Sequence, residues 1–410
     1  MRLVSIPKDK YDNYRLDVIF DGYKWDPQFS DNNTIAEQVL IISEQEHAEI
    51  KELTEKLYKE TIQAEEVLKG SVKLKGPLAL PRQIQKELKK MKNYEAKRHI
   101  RLMRFDFHPT EKGKWALSEV NSDVPGGFAE ASLMPRIALR LFEEGKYRYI
   151  NFGDMIANAI AQKIIPGGKI MFVHCTSYSD DRQVMQFLGD RLKHMGFDVI
   201  YAAADHLRFE NNQAISILDG NTGRIDAIFR FTPLEWLIGI KPKNWRGFFD
   251  TTTPSCNHPI AVFSQTKRFP LVWDALEKHG VLLPTWRELL PKTQKVKKGK
   301  NNDDFIYKPA RGRVGERISI KEACRDDEYK KIIADVKKHR KQYISQKRFY
   351  SKPLVSEEGI SFHICLGSYC VEGNHAGYYA RISDVPRIDS NAADIPVLIK
   401  RGKDDGQGHL

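Results

Sequence analysis

Polar and apolar residues alternate in two short stretches that flank a polar turn. Residues 104–107 (Arg-Phe-Asp-Phe) and 115–121 (Trp-Ala-Leu-Ser-Glu-Val-Asn) follow the two-residue period of a β-strand, and residues 108–114 have the composition of a hairpin turn. If the strands pair antiparallel, side chains two positions apart point to the same face. We therefore predict a hairpin whose polar face carries Arg104, Asp106, Glu119 and Asn121.

The side chains on this face have the chemistry of a metal and phosphate site. Asp106, Glu119 and Asn121 offer the oxygen ligands that suit Mg²⁺, and Arg104 beside them offers a partner for phosphate. The alternative is a solvated hairpin, because antiparallel sheets commonly expose one polar face to water. Features later in the chain favour the site.

A helical period dominates the region before the hairpin. Apolar residues recur at three- and four-residue steps over 34–68, residues 31–34 (Asp-Asn-Asn-Thr) supply a cap, and Gly70 closes the pattern. We predict one long helix there and a short basic helix over 84–94. Residues 1–33 are mixed, with a turn and an extended piece at 21–27.

Strands and helices alternate after the hairpin. We predict helices over 128–144, 151–165 and 182–195, and strands over 169–175, 197–203 and 223–231. The order strand, helix, strand with short turns is typical of a parallel α/β layer. We place this layer in a domain of residues 150–260.

The chain after residue 260 has a different character. We predict a helix over 266–280, a Lys-, Gly- and Asn-rich linker over 294–304, a strand over 305–309, a helix over 326–341 and a strand over 343–349. Residues 360–366, 368–372 and 376–382 predict a meander with turns at Gly367 and Gly373-Asn374. The predicted domains are 1–149, 150–260 and 261–410.

Composition excludes several classes of protein. The 410 residues carry a net charge of +12, which permits a polyanionic partner and also suits an enzyme that handles nucleotides. The five cysteines are scattered without CxxC spacing, so neither a zinc site nor a disulfide framework is expected. Residues 1–8 do not resemble a signal peptide, and polar residues interrupt the apolar stretch 150–173. We expect a cytoplasmic protein without a membrane segment.

A second group of candidate residues lies in the C-terminal third. Residues 308–315 (Lys-Pro-Ala-Arg-Gly-Arg-Val-Gly) end a strand in a glycine-rich loop, where Lys308 and Arg313 supply charge to a phosphate. The loop matches neither the P-loop nor the GxGxxG motif, and a hairpin turn with surface arginines is the alternative. Residues 342–346 either present backbone groups to an adenine edge or form an ordinary buried strand.

Other candidates are ambiguous in the sequence alone. Asp180 and Asp181 follow a strand, and at least one of them is expected to cap a helix that begins at Arg182. Arg381 near the end of the meander is, taken alone, typical of a surface residue. Covalent catalysis has little support, because the adjacent His174 and Cys175 face opposite sides of a strand and no GxSxG motif occurs.

The order of these motifs resembles the synthetase domain of glutathionylspermidine synthases, an ATP-grasp ligase family. The resemblance is carried by Gly22-Tyr23-x-Trp25, Arg104-x-Asp106, Glu119-x-Asn121, Glu235-Trp236, Lys308-Pro309-x-x-Gly312-Arg313 and Ala376-Gly377-x-x-x-Arg381. It covers nearly the whole chain, although the family's separate cysteine amidase domain has no counterpart. It implies a mixed α/β, circularly permuted ATP-grasp fold, similar to glutathione synthetase, with a pre-ATP-grasp α/β substrate domain and a C-terminal lid and meander region.

The resemblance also implies cofactors and residue roles. ATP and Mg²⁺ are the implied cofactors, with Asp106, Glu119 and Asn121 as metal ligands. The implied ATP contacts are Arg104, Lys267 (or a neighbouring lysine), Lys308, Gly312, Gln342, Tyr343, Ile344 and Arg381. The implied reaction joins a carboxylate to an amine through an acyl phosphate, whose charge Arg104, Arg313 and Arg381 would neutralise.

The sequence departs from the family where glutathione would bind. The glutathione-using members carry small hydroxyl residues after the position of Asn121-Ser122-Asp123, whereas this chain has Val124-Pro125-Gly126-Gly127. Glutathione is therefore in doubt as the acyl substrate. Asp180-Asp181 matches an acidic pair that attracts a polyamine, and Thr232 lies near another substrate position. We expect a small-molecule or peptide carboxylate and an amine, with a polyamine among the candidates; a homodimer is left open.

Two other functions remain open. A catalytically inactive MgATP-binding scaffold or sensor would keep the nucleotide site without turnover, although the presence of the hairpin residues argues against it. A nucleic-acid binder would use the basic segments 86–97 and 330–341, but no recognised nucleic-acid-binding fold accompanies them.

Overall fold

The chain is described here by a computed structural model, which covers residues 1–71, 73–298, 304–313 and 315–402. The helices are α1 (Lys8–Phe20), α2 (Glu44–Gly70), α3 (Arg82–Lys90), α4 (Phe128–Leu139), α5 (Phe152–Ala161), α6 (Ser179–His194), α7 (Leu234–Leu237), α8 (Val262–Gln265), α9 (Trp273–Glu277), α10 (Pro284–Leu289) and α11 (Asp326–Lys338).

The strands belong to several sheets. In chain order they are β1 (Arg2–Ser5), β2 (Gln28–Phe29), β3 (Asn32–Asn33), β4 (Gln38–Ser43), β5 (Leu102–Pro109), β6 (Trp115–Asn121), β7 (Tyr147–Arg148), β8 (Lys169–Val173), β9 (Asp198–Ala202), β10 (Leu207–Glu210), β11 (Gln213–Ser216), β12 (Gly223–Arg224), β13 (Ala227–Arg230), β14 (Ser255–Cys256), β15 (Thr293–Lys295), β16 (Phe305–Pro309), β17 (Tyr343–Lys347), β18 (Leu354–Val355), β19 (Ser361–Val371), β20 (Asn374–Ser383), β21 (Ala393–Ile395) and β22 (Val397–Lys400).

The largest sheet contains the predicted hairpin. Strands β5 and β6 pair antiparallel, as the alternating pattern predicts, and the strand order is β21-β20-β19-β5-β6 with β18 beside β19. Strand β19 pairs antiparallel with β5, so the C-terminal strands continue the sheet that the hairpin begins. The hairpin is therefore an integral part of a larger sheet rather than an isolated surface ribbon.

The predicted parallel α/β layer is confirmed. Strands β14, β13, β8 and β9 lie in that order, and every neighbouring pair is parallel. One apolar cluster joins them to the helices on one face and includes Phe128 of α4, Phe152 of α5 and Phe187 of α6 together with Phe172 of β8. Four consecutive buried residues in β8 fit a strand covered on both faces.

Four more sheets complete the arrangement, and two of them are the antiparallel β10-β11-β12 sheet and the β2-β3 ribbon. Strands β15, β17 and β16 form an antiparallel sheet against which α11 packs, through Tyr307, Ile332, Ile333, Val336 and Tyr343. Strands β1, β4, β22 and β7 form another sheet, in which β4 and β22 run parallel. The domain boundaries at 149 and 260 remain a prediction. Strands from the predicted first domain, 1–149, and the predicted last domain, 261–410, lie together in two sheets.

The long helix predicted over 34–68 is wrong at its start. Residues Gln38–Ser43 form strand β4, and the helix occupies Glu44–Gly70. Val39, Leu40, Ile41 and Ile42 are all buried, because β4 lies between β1 and β22 and is covered on both faces. The helix is capped by Ser43 and not by residues 31–34.

Other predicted elements also differ from the structure. The helix over 266–280 is a 3₁₀ turn at Phe269–Val272 followed by the short α9, and Pro270 lies in the first turn of the 3₁₀ segment, where its missing N–H costs no hydrogen bond. The strand over 223–231 is two strands, β12 and β13. Gly367 is not a turn, because β19 runs through it, whereas the turn at Gly373 is confirmed, with φ of +89°.

Several predicted bounds shift. Helices α3, α4, α5 and α11 end at residues 90, 139, 161 and 338, earlier than the sequence pattern indicates. Helix α1 was not predicted, because its apolar residues follow no clear helical stripe. The predicted linker over 294–304 begins inside β15, and its residues 299–303 lie outside the described residues, as does Val314 of the glycine-rich loop.

Candidate functional site

The hairpin register places the four predicted polar side chains together. Arg104 lies opposite Asn121, and Asp106 lies opposite Glu119. The Arg104 guanidinium donates from Nε to Asp106 Oδ1 at 2.8 Å and from Nη2 to Oδ2 at 3.0 Å. Asn121 Nδ2 donates to Asp106 Oδ2 at 2.9 Å. The Asp106 carboxylate is therefore fixed by three charge-assisted or amide donors.

A glycine in the neighbouring strand makes room for Arg104. Gly367 lies opposite Asp106 in β19, and a Cβ atom there would come within 2.8 Å of Arg104 Cδ. The guanidinium lies over the Tyr379 ring, 4.8 Å from its centroid, and donates from Nη1 to the Gly126 carbonyl at 2.8 Å. The absence of a side chain at Gly367 thus lets Arg104 lie flat across the sheet.

Two lysines from distant parts of the chain meet the hairpin. Lys267 Nζ lies 2.6 Å from Glu119 Oε2 and donates to the Gly312 carbonyl at 2.7 Å. Lys308 Nζ, at the end of β16, donates to the Ser118 carbonyl at 3.3 Å. The hairpin acids therefore face the lysine-bearing strand and the glycine-rich loop, with only 5% of Asp106 exposed to solvent.

Burial and neighbouring charges oppose each other at these groups. Burial raises the pKa of Asp106 despite the Arg104 guanidinium, whereas the charges of Lys267 and Lys308 hold the pKa of Glu119 below its usual range in spite of burial. Burial lowers the pKa of Lys308 to about 8, and the charge of Glu119 only partly offsets that effect. The nearby negative charge thus compensates only in part for the burial of the Lys308 ammonium.

These side chains line one cavity of about 810 Å³. Its walls also include Gly312, Arg313, Arg381, Asp180 and Asp181 among the residues that the sequence predicted. A cavity of this size is large enough for a nucleotide together with small substrates.

Two more predicted arginines line this cavity. Arg313 Nη2 donates to Glu235 Oε1 at 2.9 Å, and its guanidinium lies 5.7 Å from the Trp236 ring centroid. Arg381 Nη2 donates to the Ala392 carbonyl at 2.7 Å, and its Nε lies 3.5 Å from Asp394 Oδ1. The Glu235-Trp236 motif therefore meets the Lys308–Arg313 loop in space.

Asp180 and Asp181 lie in the first turn of α6, which begins at Ser179 rather than at Arg182. No side-chain hydrogen bond caps this helix, so the capping role expected for one of them is wrong. Partial burial raises the pKa of both carboxyls to about 6, assisted at Asp180 by a hydrogen bond that its protonated form donates to the Asp26 carboxylate. Both side chains line the cavity.

Four predicted residues do not line this cavity. Thr232 is buried between two lining residues and accepts a hydrogen bond from Arg230 at its carbonyl. The Tyr343 hydroxyl donates to Asp335, and the Gln342 carbonyl accepts from the Ala310 N–H at 2.7 Å. Ile344 lines a small second cavity that also contacts Glu119 and Lys267. Their predicted contacts to ATP or substrate stay predictions.

Three residues that line the cavity were not predicted from the sequence. They are Lys24, Glu130 and Asp394, and Lys24 forms an ion pair with each of the two carboxylates. Lys24 stands inside the Gly22-Tyr23-x-Trp25 motif, at the position that the motif leaves unspecified. Asp394 lies in an apolar C-terminal segment that carries no motif, so the sequence offered no signal for it.

The residues present fit a nucleotide-bound Mg²⁺. Within the described residues no group of three or more His, Cys, Asp or Glu side chains is arranged to hold a metal ion. Magnesium commonly takes only one or two carboxylates from a protein and completes its shell with phosphate oxygens and water. Glu119, Asn121 and Asp106 match that donor set, although Asp106 and Glu119 are paired here with Arg104 and Lys267.

Among the described helices, none has the length and apolar character needed to cross a membrane.

Comparisons with known proteins concern the family and the fold. The model of the glutathionylspermidine synthase pre-ATP-grasp family matches residues 7–400. A glutathione synthetase-like effector from Globodera pallida, solved in its apo form, is 13% identical with a TM-score of 0.63, covering 95% of this chain and 97% of that chain. A putative gamma-glutamylcysteine synthetase from Methylobacillus flagellatus is 12% identical with a TM-score of 0.45, covering 77% and 82%. No curated protein matches the chain.

The likeness to the first of these structures shows a mixed α/β fold of the glutathione synthetase-like, ATP-grasp-related kind. The family is one of synthetase-type ligases, which generally use ATP and Mg²⁺. Because the family match spans nearly the whole chain, the chain belongs to the glutathionylspermidine synthase pre-ATP-grasp family.

Proposed function

We propose that the protein is an ATP- and Mg²⁺-dependent ligase that joins a carboxylate to an amine through an acyl phosphate. The observation that carries the proposal is the convergence of the hairpin face with Lys267, Lys308 and Arg381 on one cavity. Oxygen ligands and cations meet there, as phosphoryl transfer requires. The family match supports the same class of reaction.

The chemistry explains why this inventory suffices. A carboxylate is a poor acyl donor, because an oxide would have to leave. A carboxylate oxygen attacks the γ-phosphorus of ATP, and ADP leaves. The amine then attacks the acyl carbon, loses a proton, and inorganic phosphate leaves. Positioning and charge stabilisation drive both steps, so no side-chain nucleophile is required.

Each candidate residue has a role that follows from its contacts. Glu119 and Asn121, with Asp106, would hold Mg²⁺, which supplies charge neutralisation to the phosphates. Lys267 and Lys308 would bind the nucleotide phosphates. The three arginines, Arg104, Arg313 and Arg381, would neutralise the transferred phosphoryl group and the acyl phosphate.

The acyl donor differs from glutathione in this proposal. Gly126 already accepts hydrogen bonds from Arg104 and Tyr369 through its carbonyl, and Gly127 has φ of +90° directly against the Tyr379 ring. Neither position offers a hydroxyl donor, and Val124 presents an apolar side chain to the cavity. On the acceptor side, the carboxylates of Asp180 and Asp181 favour a cationic amine.

The test measures ADP release with mixtures of acids and amines. We expect release only when both substrates are present, and a fall of about 100-fold in Glu119→Gln and Arg104→Lys. Lys112→Ala, a change at an exposed lysine in the hairpin turn, serves as the matched control and keeps full activity. Full turnover in the two site variants would contradict the assignment.

A non-catalytic MgATP-binding scaffold or sensor is the second candidate. The pairing of Asp106 with Arg104 and of Glu119 with Lys267 favours it, since both carboxylates already have protein partners. Stabilisation against heat by MgATP, without turnover across a broad set of acids and amines, would support this alternative.

A further inference from the structure

One end of the cavity carries a wall of carboxylates. This acidic wall consists of Asp26, Glu130, Asp180, Asp181 and Asp394, all of which line the cavity. Its members come from the segment after α1, from α4, from α6 and from β21. The fold therefore gathers negative charge from four separate elements on one cavity.

A lysine is built into this wall. Lys24 Nζ lies 2.8 Å from Asp394 Oδ2 and 3.1 Å from Glu130 Oε1, and only 13% of its side chain is exposed. Burial lowers its pKa, but the charges of Asp394 and Glu130 outweigh that effect and raise the pKa well above its usual value. The ammonium is thus a permanent counter-ion within the wall.

The backbone around Lys24 is anchored, so its position is fixed. The Gln183 side chain of α6 accepts from the Trp25 N–H at 3.0 Å and donates to Glu130 Oε1 at 3.1 Å. The Tyr23 hydroxyl donates to Asp190 Oδ2, also on α6, at 2.7 Å. Residues on both sides of Lys24 are therefore tied to the same helix, and Lys24 is a preorganised part of the wall.

The wall retains capacity for one further cation. Glu130 is 8% exposed, and its Oε2 atom has no hydrogen-bond partner among the residues that the structure describes. Asp394 is already engaged by Lys24, by Arg381 and by the Tyr379 hydroxyl at 2.7 Å. Asp180 and Asp26 lie at the outer side and share a hydrogen bond between their carboxyl groups. A ligand ammonium has acceptors at Glu130 and Asp180 but not at Asp394.

We propose that Lys24 is a specificity-determining residue that occupies one cation position of the acidic wall and so restricts the acceptor to an amine with a single further ammonium group. The inference rests on the proposed ligase function, because the acceptor's other amine is the one that attacks the acyl phosphate. A third ammonium on the acceptor would face the Lys24 ammonium and be repelled. Loss of Lys24 removes the repelling ammonium, frees Asp394 Oδ2 and leaves Glu130 Oε1 with Gln183 as its donor, so that the third group can bind there.

The experiment compares a diamine with a triamine. Putrescine and spermidine are titrated calorimetrically into the full chain with Mg²⁺ and a non-hydrolysable ATP analogue. The wild-type protein is expected to bind putrescine at least as tightly as spermidine. In Lys24→Met the ratio of affinities shifts about tenfold towards spermidine, as expected for one added ammonium–carboxylate hydrogen bond. Lys24→Arg, which keeps the charge, retains the wild-type ratio.

The matched control is Lys56→Met, at an exposed lysine that pairs with Glu52 on α2. It should leave the ratio unchanged. A wild-type preference for spermidine, binding of neither amine, or an unchanged ratio in Lys24→Met would overturn the proposal. Thermal unfolding checks that each variant is folded. If Lys24→Met does not fold, Lys24→Gln replaces it. If neither variant folds, the comparison of putrescine and spermidine affinities in the wild-type protein decides alone.

ADP release, measured separately, distinguishes the two proposals. Turnover with an unchanged amine ratio in Lys24→Met would overturn the role of Lys24 and leave the ligase function standing. A shifted ratio of amine affinities in Lys24→Met, without ADP release with any acid and amine, would overturn the ligase function. It would leave standing only the effect of Lys24 on amine binding.

Discussion

At the scale of single residues, the protonation of Lys308 is expected to make the nucleotide affinity and the stability of the protein depend on pH. Lys308 is 4% exposed, and burial lowers its pKa to about 8. A lysine in the unfolded chain titrates near 10.4, so the folded state loses the proton first. Between these two values the unfolded chain binds more protons, and this group's contribution to stability therefore rises with pH.

The first prediction is that MgATP affinity falls as pH rises through about 8, because Lys308 then loses its charge. Lys308→Arg should keep its affinity to higher pH, since a guanidinium stays protonated. Calorimetric titration of a non-hydrolysable ATP analogue between pH 6.5 and 9.5, a range of about 1.5 units on either side of that value, measures both. An affinity that is flat with pH in the wild-type protein would exclude this role.

The next prediction compares the loss of stability when a side chain is added at two glycines, one beside the candidate site and one in the hairpin turn. Gly127 has φ of +90°, and a Cβ there would lie 2.7 Å from Tyr379 ring atoms, whereas Gly113 has φ of +71° and open space around it. Gly127→Ala should cost more stability than Gly113→Ala, whose cost is only the backbone strain of about 1 kcal/mol. Urea unfolding measures the difference.

Gly127→Ala should also lower turnover, because displacement of Tyr379 moves the ring on which Arg104 lies. Equal stabilities of the two alanine variants would show that the ring gives way without cost.

At the scale of elements, helix α2 shows where a sequence pattern is misleading. Apolar spacing from residue 34 onwards satisfies the helical period, but the run at Val39–Ile42 is buried in a strand between two others. Only the pairing partners, β1 and β22, decide between strand and helix, and β22 lies at the opposite end of the chain. Local periodicity contains no information about that partner.

The capping residue of α2 gives the next prediction. Ser43 Oγ accepts from the Glu46 N–H at 3.1 Å, and Glu46 Oε2 accepts from the Ser43 N–H at 2.8 Å, which together form a capping box. Ser43→Ala should destabilise the protein by about 1 kcal/mol in urea unfolding. Ser179→Ala, at the uncapped start of α6, should change stability little. Equal losses of stability in Ser43→Ala and Ser179→Ala would show that the Ser43 cap does not stabilise helix α2.

At the scale of the whole molecule, one buried ion pair connects the hairpin's continuation to the parallel layer. The side chains of Arg230 in β13 and Asp123, just after β6, are paired and fully buried. Arg230 also donates to the carbonyls of Thr232 at 2.8 Å and Asn257 at 2.9 Å, and the Leu234 N–H donates to Asp123 at 3.0 Å. The pair fixes how the two sheets meet beside the cavity.

Arg230→Met should therefore destabilise the protein strongly, by about 3–5 kcal/mol, because it leaves Asp123 buried without its partner. The double variant Arg230→Met/Asp123→Leu should recover part of that loss in urea unfolding, since it removes the uncompensated charge. A double variant less stable than both single ones would mean that the hydrogen bonds, and not the charge, dominate.

The site was predictable from the sequence where its residues follow local patterns. Alternation alone placed Arg104, Asp106, Glu119 and Asn121 on one face, and a strand ending in glycines indicated Lys308. The sequence did not reveal Lys24 or Asp394, because their partners are set by the meeting of distant elements. The same holds for Gly367, whose role as a gap over Arg104 depends on the register of β19 against β5.

The measurement that tests the account most directly is a crystal structure with Mg²⁺ and a non-hydrolysable ATP analogue. The account predicts Mg²⁺ on Glu119 and Asn121, with the triphosphate between the hairpin face and the ammonium groups of Lys267 and Lys308. A nucleotide bound elsewhere, with Glu119 still paired to Lys267 and Asp106 to Arg104, would contradict it.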